Sequence, residues 1–239
     1  MTWAILSGIE GNLAAYEAVL NDLEQQRSSI EQVFILGDVI GPTPHNLELV
    51  NRIRSPKPGA LVPAVCQGWW EEQALILYAL GRREEPTELV ERYGNPMITT
   101  LWEAVPRELT PWISQLEFGF MELDCLMIHG TPAGVEEALT PETSPLVMID
   151  RLQRVQANRM FCGRSGLSFC FEIESGQLNS QLQTLDRLET QRAETQQAQR
   201  PSLQQVIGVG SVGRSPTEAS YVLYEPGSDR LQFKTVDYC

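Results

Sequence analysis

Two histidines, His45 and His129, are all that a chain of 239 residues carries. Basic residues are also short: 18 Lys and Arg stand against 31 Asp and Glu, a formal charge of -13. That balance repels phosphate backbones and anionic membranes, and no Lys/Arg cluster offsets it, so no nucleic-acid and no membrane partner is expected. Apolar runs stay well below the roughly 20 residues that span a bilayer. The five cysteines, Cys66, Cys125, Cys162, Cys170 and Cys239, form no CxxC pair. An odd, loosely spaced set reads as reduced thiols rather than a disulfide framework. Met1 to Leu6 opens directly on an apolar run without the charged flank of a signal peptide, and the expected location is cytoplasmic.

What is present is a repeating pattern. Trp3–Ser7 reads as a buried strand ending in a Gly8–Gly11 loop, followed by Leu13, Tyr16, Leu20 and Leu23 at helical spacing. Gln32–Leu36 repeats the strand and ends on Gly37-Asp38, with Leu47, Val50 and Ile53 on a helix behind it. Leu61–Cys66 reads as a third strand, running into Gln67-Gly68-Trp69-Trp70. Strand, loop and helix in this order predict parallel strands with crossover helices. Residues 70–116 read as helices broken by glycine and proline. The second half turns strand-rich: Phe118–Leu123 and Cys125–Ile128 form an antiparallel pair, and strands follow at Arg159–Cys162, Ser168–Ile173, Gln204–Ile207, Ser220–Tyr224 and Leu231–Val236. Pro226-Gly227-Ser228-Asp229 makes a hairpin loop between the last two. Residues 177–199 hold seven glutamines and few large apolar groups. They read as a solvated insertion, or as an exposed helix with Leu178, Leu182, Leu185 and Leu188 on one side.

The loops carry the resemblance. Ser7-Gly8-Ile9-Glu10-Gly11-Asn12, Leu36-Gly37-Asp38-Val39, Ile128-His129-Gly130 and Val209-Gly210-Ser211-Val212-Gly213 are similar, in order and spacing, to the signature loops of calcineurin-like metallophosphoesterases. The resemblance implies an α/β fold, a four-layer sandwich of two mixed β-sheets flanked by helices. It also implies one domain over 1–239, with a cap-like helical region at about 70–116 and the Gln-rich insertion at about 177–199. The family site binds two divalent metals, which neutralise phosphoryl oxygens and lower the pKa of the attacking water.

Position by position, this chain departs from that chemistry. The resemblance sets Gly8 and Glu10 where the family has an aspartate and a histidine, and keeps the bridging aspartate as Asp38. Trp69 and Trp70 stand for the asparagine ligand and the phosphate-contacting histidine. His129 is kept, while Gly163-Arg164-Ser165-Gly166 replaces a loop with two histidine ligands. His45 falls in a variable loop and reads as a surface residue. Gly208–Gly213 lacks the helix and downstream acid of a dinucleotide fingerprint.

Three expectations follow. Arg164 pairs with Asp38 or Glu10 in place of the metal charge, with Trp69 and Trp70 filling the vacated volume. Alternatively, Trp69 and Trp70 stack a ring while Arg164 holds an anion; the bland account puts at least one indole in the core. Finally, Glu10, Asp38 and His129 hold one divalent metal, Mn, Zn or Fe, and support a reduced phosphoesterase. The leading expectation is a degenerate metallophosphoesterase without a metal cofactor, inactive as a binuclear hydrolase. It would act through an unidentified protein partner or a small anionic ligand.

Overall fold

The computed structural model describes residues 1–26, 30–78, 85–173 and 204–238. Strand β1 (Thr2–Leu6) is buried along its whole length, because it lies mid-sheet with both faces covered. It pairs parallel with β2 (Ile30–Leu36) and antiparallel with β9 (Glu218–Glu225). The short β3 (Ala64–Cys66) extends the parallel side and β10 (Arg230–Asp237) the other, giving the order β10-β9-β1-β2-β3. The Pro226–Asp229 loop joins β9 to β10 as an antiparallel hairpin. A second five-stranded sheet runs in the order β4-β5-β6-β8-β7. There β5 (Cys125–Ile128), β6 (Arg159–Cys162) and β8 (Gln204–Val209) are parallel. The edge strands β4 (Gly119–Glu122) and β7 (Ser168–Ile173) are antiparallel to their neighbours.

Alternation along β1 sorts its side chains into two layers. Trp3 and Ile5 join Phe34, Leu36, Met127, Phe161 and Val222 in the core between the sheets. Ala4 and Leu6 face the helical layer outside the first sheet. Trp3 meets Phe34 edge-on at 5.5 Å and Tyr224 at 5.8 Å, a favoured aromatic geometry. Helices α1 (Leu13–Gln25), α2 (Asn46–Arg54), α3 (Trp69–Leu77), α4 (Thr87–Tyr93), α5 (Pro96–Ala104) and α6 (Thr110–Ile113) contribute to that outer layer. Helix α7 (Pro145–Val155) buries Met148 and Leu152 against the far face of the second sheet. The result is the four-layer α/β sandwich of two mixed sheets.

Helix boundaries follow local chemistry. The Asn12 side chain accepts from Ala15 N at 3.0 Å and caps α1. Proline at the first turn starts α5 and α7, where its missing N–H has no partner to lose. The expected third strand is shorter than Leu61–Cys66: only Ala64–Cys66 pairs, while Leu61 and Val62 are exposed. Pro63 has no N–H for a ladder and fixes the break. The expected insertion over 177–199 and Cys239 lie outside the described residues. Cys66, Cys125, Cys162 and Cys170 are buried. Burial pushes Cys125 and Cys162 up to about 12. Among the described residues no helix is long and apolar enough to cross a membrane.

Candidate functional site

The loops leaving β1, β2, β5, β6 and β8 meet at one end of the sandwich and bind one another through their backbones, and the loop leaving β3 joins them through side chains. Glu10 N donates to Asp38 O at 2.8 Å, and Gly11 N to Val39 O at 2.8 Å. Val212 N donates to Ser7 O at 2.9 Å, and both Gly163 N and Arg164 N reach His129 O at 2.8 Å. Glu10 and Asp38 both have left-handed backbones, with φ of 52° and 50°. Such conformations cost on the order of 1–3 kcal/mol each in non-glycine residues and persist only where the surroundings enforce them.

Glu71 is one enforcing group. Its carboxylate is buried at the start of α3 and accepts from Asp38 N at 2.8 Å and from Ile40 N and Gly68 N at 2.9 Å. Burial pushes this carboxyl up to about 7, and the Asp38 charge adds to the rise, while the Ile40 and Asp38 N–H groups oppose it. Asp38 Oδ1 in turn accepts from Trp70 N at 2.9 Å, an anion at a helix N-terminus. Gly68 allows this approach, since a Cβ there would lie 2.0 Å from Asp38 N.

The other oxygen of Asp38 faces three cationic or potentially cationic groups. Its Oδ2 lies 3.3 Å from His129 Nε2, 3.2 Å from Arg214 Nη2 and 3.9 Å from Arg164 Nη1. Burial opposes the Asp38 charge, but His129 and Arg214 outweigh it and hold the carboxyl below its usual value. Arg214 Nε also donates to Glu10 Oε1 at 2.6 Å, and Nη1 to the Arg164 carbonyl at 3.2 Å. One guanidinium therefore binds both Glu10 and Asp38. Burial raises Glu10, Arg214 opposes that rise, and Asp38 adds to it; the net shift is upward.

His129 is fully buried, with Nδ1 2.7 Å from Leu36 O. That carbonyl requires a proton on Nδ1, so Nε2 points at Asp38, without hydrogen-bond geometry. Burial works to lower the imidazole pKa, but Asp38 and the Leu36 carbonyl raise it overall.

The residues present do not fit the two-metal centre that the fold implies. Among the described residues no group of three or more His, Cys, Asp or Glu side chains is arranged to hold an ion. The shortest contacts of Asp38 Oδ2 and Glu10 Oε1 are to the guanidinium of Arg214, a cation already hydrogen-bonded to both.

Arg164 is the expected partner of Asp38 or Glu10, and Arg214 stands closer to both. The nearest approach of Arg164 is the 3.9 Å contact with Asp38, whereas Arg214 makes the short bonds. Arg164 is 6% exposed, its Nε and Nη2 have no hydrogen-bond partner, and its guanidinium lies 4.6 Å from the Trp69 ring centroid. Trp69 and Trp70 are buried at 1% and 4% exposure and meet edge-on at 4.8 Å. Tyr93 packs against both, and Trp69 Nε1 donates to Glu88 at 2.9 Å. They present no open face for stacking a ring. His45 is a surface side chain, 63% exposed.

Beside this cluster is a cavity of about 380 Å³, with Glu10, Arg92, Tyr93, Arg164, Ser165 and Arg214 in its wall. Three guanidiniums and one carboxylate line it, and two of those guanidiniums also approach Asp38.

The chain matches no protein-family profile and no curated protein sequence. Its structure is similar to that of a metallophosphoesterase from Sphaerobacter thermophilus, with a TM-score of 0.67 and 21% identity, covering 100% of this chain and 90% of that one. Vps29 from Chaetomium thermophilum is more distant, at a TM-score of 0.44 and 10% identity over 100% of this chain and 98% of that one. A Vps29 from Entamoeba histolytica complexed with Zn2+ gives 0.43 and 11%, over 100% of both chains. The chain, divergent in sequence and in its loop chemistry, has the metallophosphoesterase fold.

Proposed function

We propose that this protein is a degenerate metallophosphoesterase in which an arginine has taken the place of the metal pair, and that it binds a small anionic ligand rather than hydrolysing one through a binuclear centre. The observation that carries this reading is the Arg214 bridge between Glu10 and Asp38. A fixed positive charge satisfies the carboxylates but neither activates water nor offers an open coordination position. The same guanidinium faces the cavity shared with Arg92 and Arg164, so an anion entering there meets donors already in position.

A one-metal phosphoesterase is the second reading, with one observation in its favour. His129 Nε2 lies 3.3 Å from Asp38 Oδ2, so two of the residues that the resemblance makes metal ligands stand side by side. Metal analysis of protein purified without chelator from manganese- and zinc-supplemented cells separates the two. Metal far below one equivalent is expected. A full equivalent that disappears in Asp38→Asn and His129→Gln overturns the arginine-substituted site and restores the phosphoesterase.

A further inference from the structure

Strand β10 ends at Asp237, and the residue after it reaches back to the Arg214 loop. Tyr238 N donates to Thr217 O at 2.8 Å, which seats the residue beside the start of β9. Its hydroxyl accepts from Asn12 Nδ2 at 2.8 Å and donates to Ser215 O. Asn12 Nδ2 also donates to Gly213 O, at 3.3 Å. Gly213 and Ser215 are the two chain neighbours of Arg214. The carbonyls of both neighbours are therefore held by two side chains that are bonded to each other.

The other bonds of this loop lie at its entry. Gly213 N donates to Gly8 O at 2.8 Å, and Arg214 N to Ser211 Oγ at 3.2 Å. Past the arginine, the Ser215 carbonyl is held by Tyr238. Placement matters because Arg214 makes two contacts at once. Its Nε reaches Glu10 and its Nη2 reaches Asp38, and a long side chain meets both only from a fixed backbone. The Tyr238 hydroxyl is occupied by Asn12 and Ser215, so its effect on the site passes through the backbone of Arg214. The ring itself packs against the core on the helical side of the first sheet.

We propose that Tyr238 is a positioning residue for the candidate site: its hydroxyl, together with Asn12, holds the loop from which one guanidinium spans Glu10 and Asp38. The inference rests on Arg214 as the cation of that site, and not on which anion the neighbouring cavity takes.

Two variants separate this clamp from general stability. Tyr238→Phe keeps the packed ring and removes the hydroxyl. Asn12→Asp keeps an acceptor for Ala15 N, a favoured helix cap, and removes the Nδ2 donor to Gly213 and Tyr238. Hydrogen exchange at single arginine Nε–H groups, followed by NMR on the full chain, reads the effect. Arg151 Nε, which donates to Glu137 at 2.7 Å, and Arg159 Nε, which donates to Gln205 at 3.0 Å, are the internal references. Exchange at Arg214 Nε–H is expected to speed up about fivefold in each variant, the scale of one net hydrogen bond, with both references unchanged. Affinity for inorganic phosphate is expected to fall severalfold. Unchanged Arg214 exchange in Tyr238→Phe overturns the proposal. So does equal acceleration at all three arginines, which marks a loosened fold rather than a displaced Arg214. Faster Arg214 exchange with phosphate affinity intact also overturns it, since the site is then indifferent to the clamp. If Arg214 alone accelerates and the parent binds no phosphate, the clamp stands and the anion-binding reading fails.

Discussion

Arg214 Nε lies 2.6 Å from Glu10 Oε1 while its Nη2 lies 3.2 Å from Asp38 Oδ2, so one side chain from the loop after β8 closes a site assembled from the loops after β1 and β2. Removing it leaves two acidic groups packed together with little water to screen them. Arg214→Met is expected to lower stability by about 3 kcal/mol, in line with breaking a largely buried pair from one side. Adding Glu10→Gln should recover part of that loss. Urea denaturation of the two variants measures both numbers.

Arg164 should behave differently. Its guanidinium has two N–H groups without partners, a long contact to Asp38 and one ring face, so its burial yields little net stability. Arg164→Met is expected to change unfolding free energy by less than about 1 kcal/mol, yet to weaken binding of inorganic phosphate about tenfold. Thermal denaturation with and without phosphate reads the two effects separately.

Glu71→Gln tests the buried carboxylate that gathers three backbone N–H groups. An amide offers only one acceptor oxygen and turns an NH2 towards a donor. The expected loss is about 2–4 kcal/mol, with the Ile40 N–H left unsatisfied when the amide oxygen keeps Asp38 and Gly68. Amide exchange at Asp38, Ile40 and Gly68 should speed up in the variant, and unchanged exchange would count against this role.

Glu137 adds its own contribution to the acid side of the stability profile. Arg151 Nε and Nη2 each donate to Glu137 at 2.7 Å, and Thr131 Oγ1 also bonds to it. The Arg151 hydrogen bonds lead in holding Glu137 below its ordinary 4.5, burial opposing and Thr131 assisting. A depressed carboxylate stabilises the fold above its unfolded pKa and loses that contribution as pH falls through the folded value. Melting temperature should therefore drop more steeply below roughly pH 5 in the parent than in Arg151→Met. Parallel slopes would remove Glu137 from the account.

The fold was readable because its signals are local. Glycine at Gly8, Gly37 and Gly210, each with positive φ, marks a strand end, and alternation or helical spacing supplies the rest. The third strand was overread because Leu61 and Val62 look like strand residues, while the decisive residue is Pro63. The site was readable only in its losses. Asp38, His129 and Glu10 could be named from their loops, but Arg214 stands 204 residues from Glu10 and has no spacing that ties it there. The one available signal was its place directly after Val212-Gly213, in a chain poor in basic residues. Arg164 drew attention because it occupies a ligand's former position, and position in a motif does not report side-chain reach. Glu71 sat in plain view beside two tryptophans, and its three N–H partners belong to backbone, which no residue pattern announces.

The buried cysteines make the chain its own reporter of breathing motions. Cys66 and Cys125 sit between the sheets, while Cys162 faces the α7 side of the second sheet. Alkylation at each must wait for a different door: parting of the sheets for the first two, lifting of α7 for the third. Rates of mass gain at single cysteines, followed under native conditions, would therefore rank how often each layer of the sandwich comes apart. If the sheets separate only when the whole chain unfolds, Cys66 and Cys125 will label together, at the rate of global opening once the reagent traps each opening faster than it recloses.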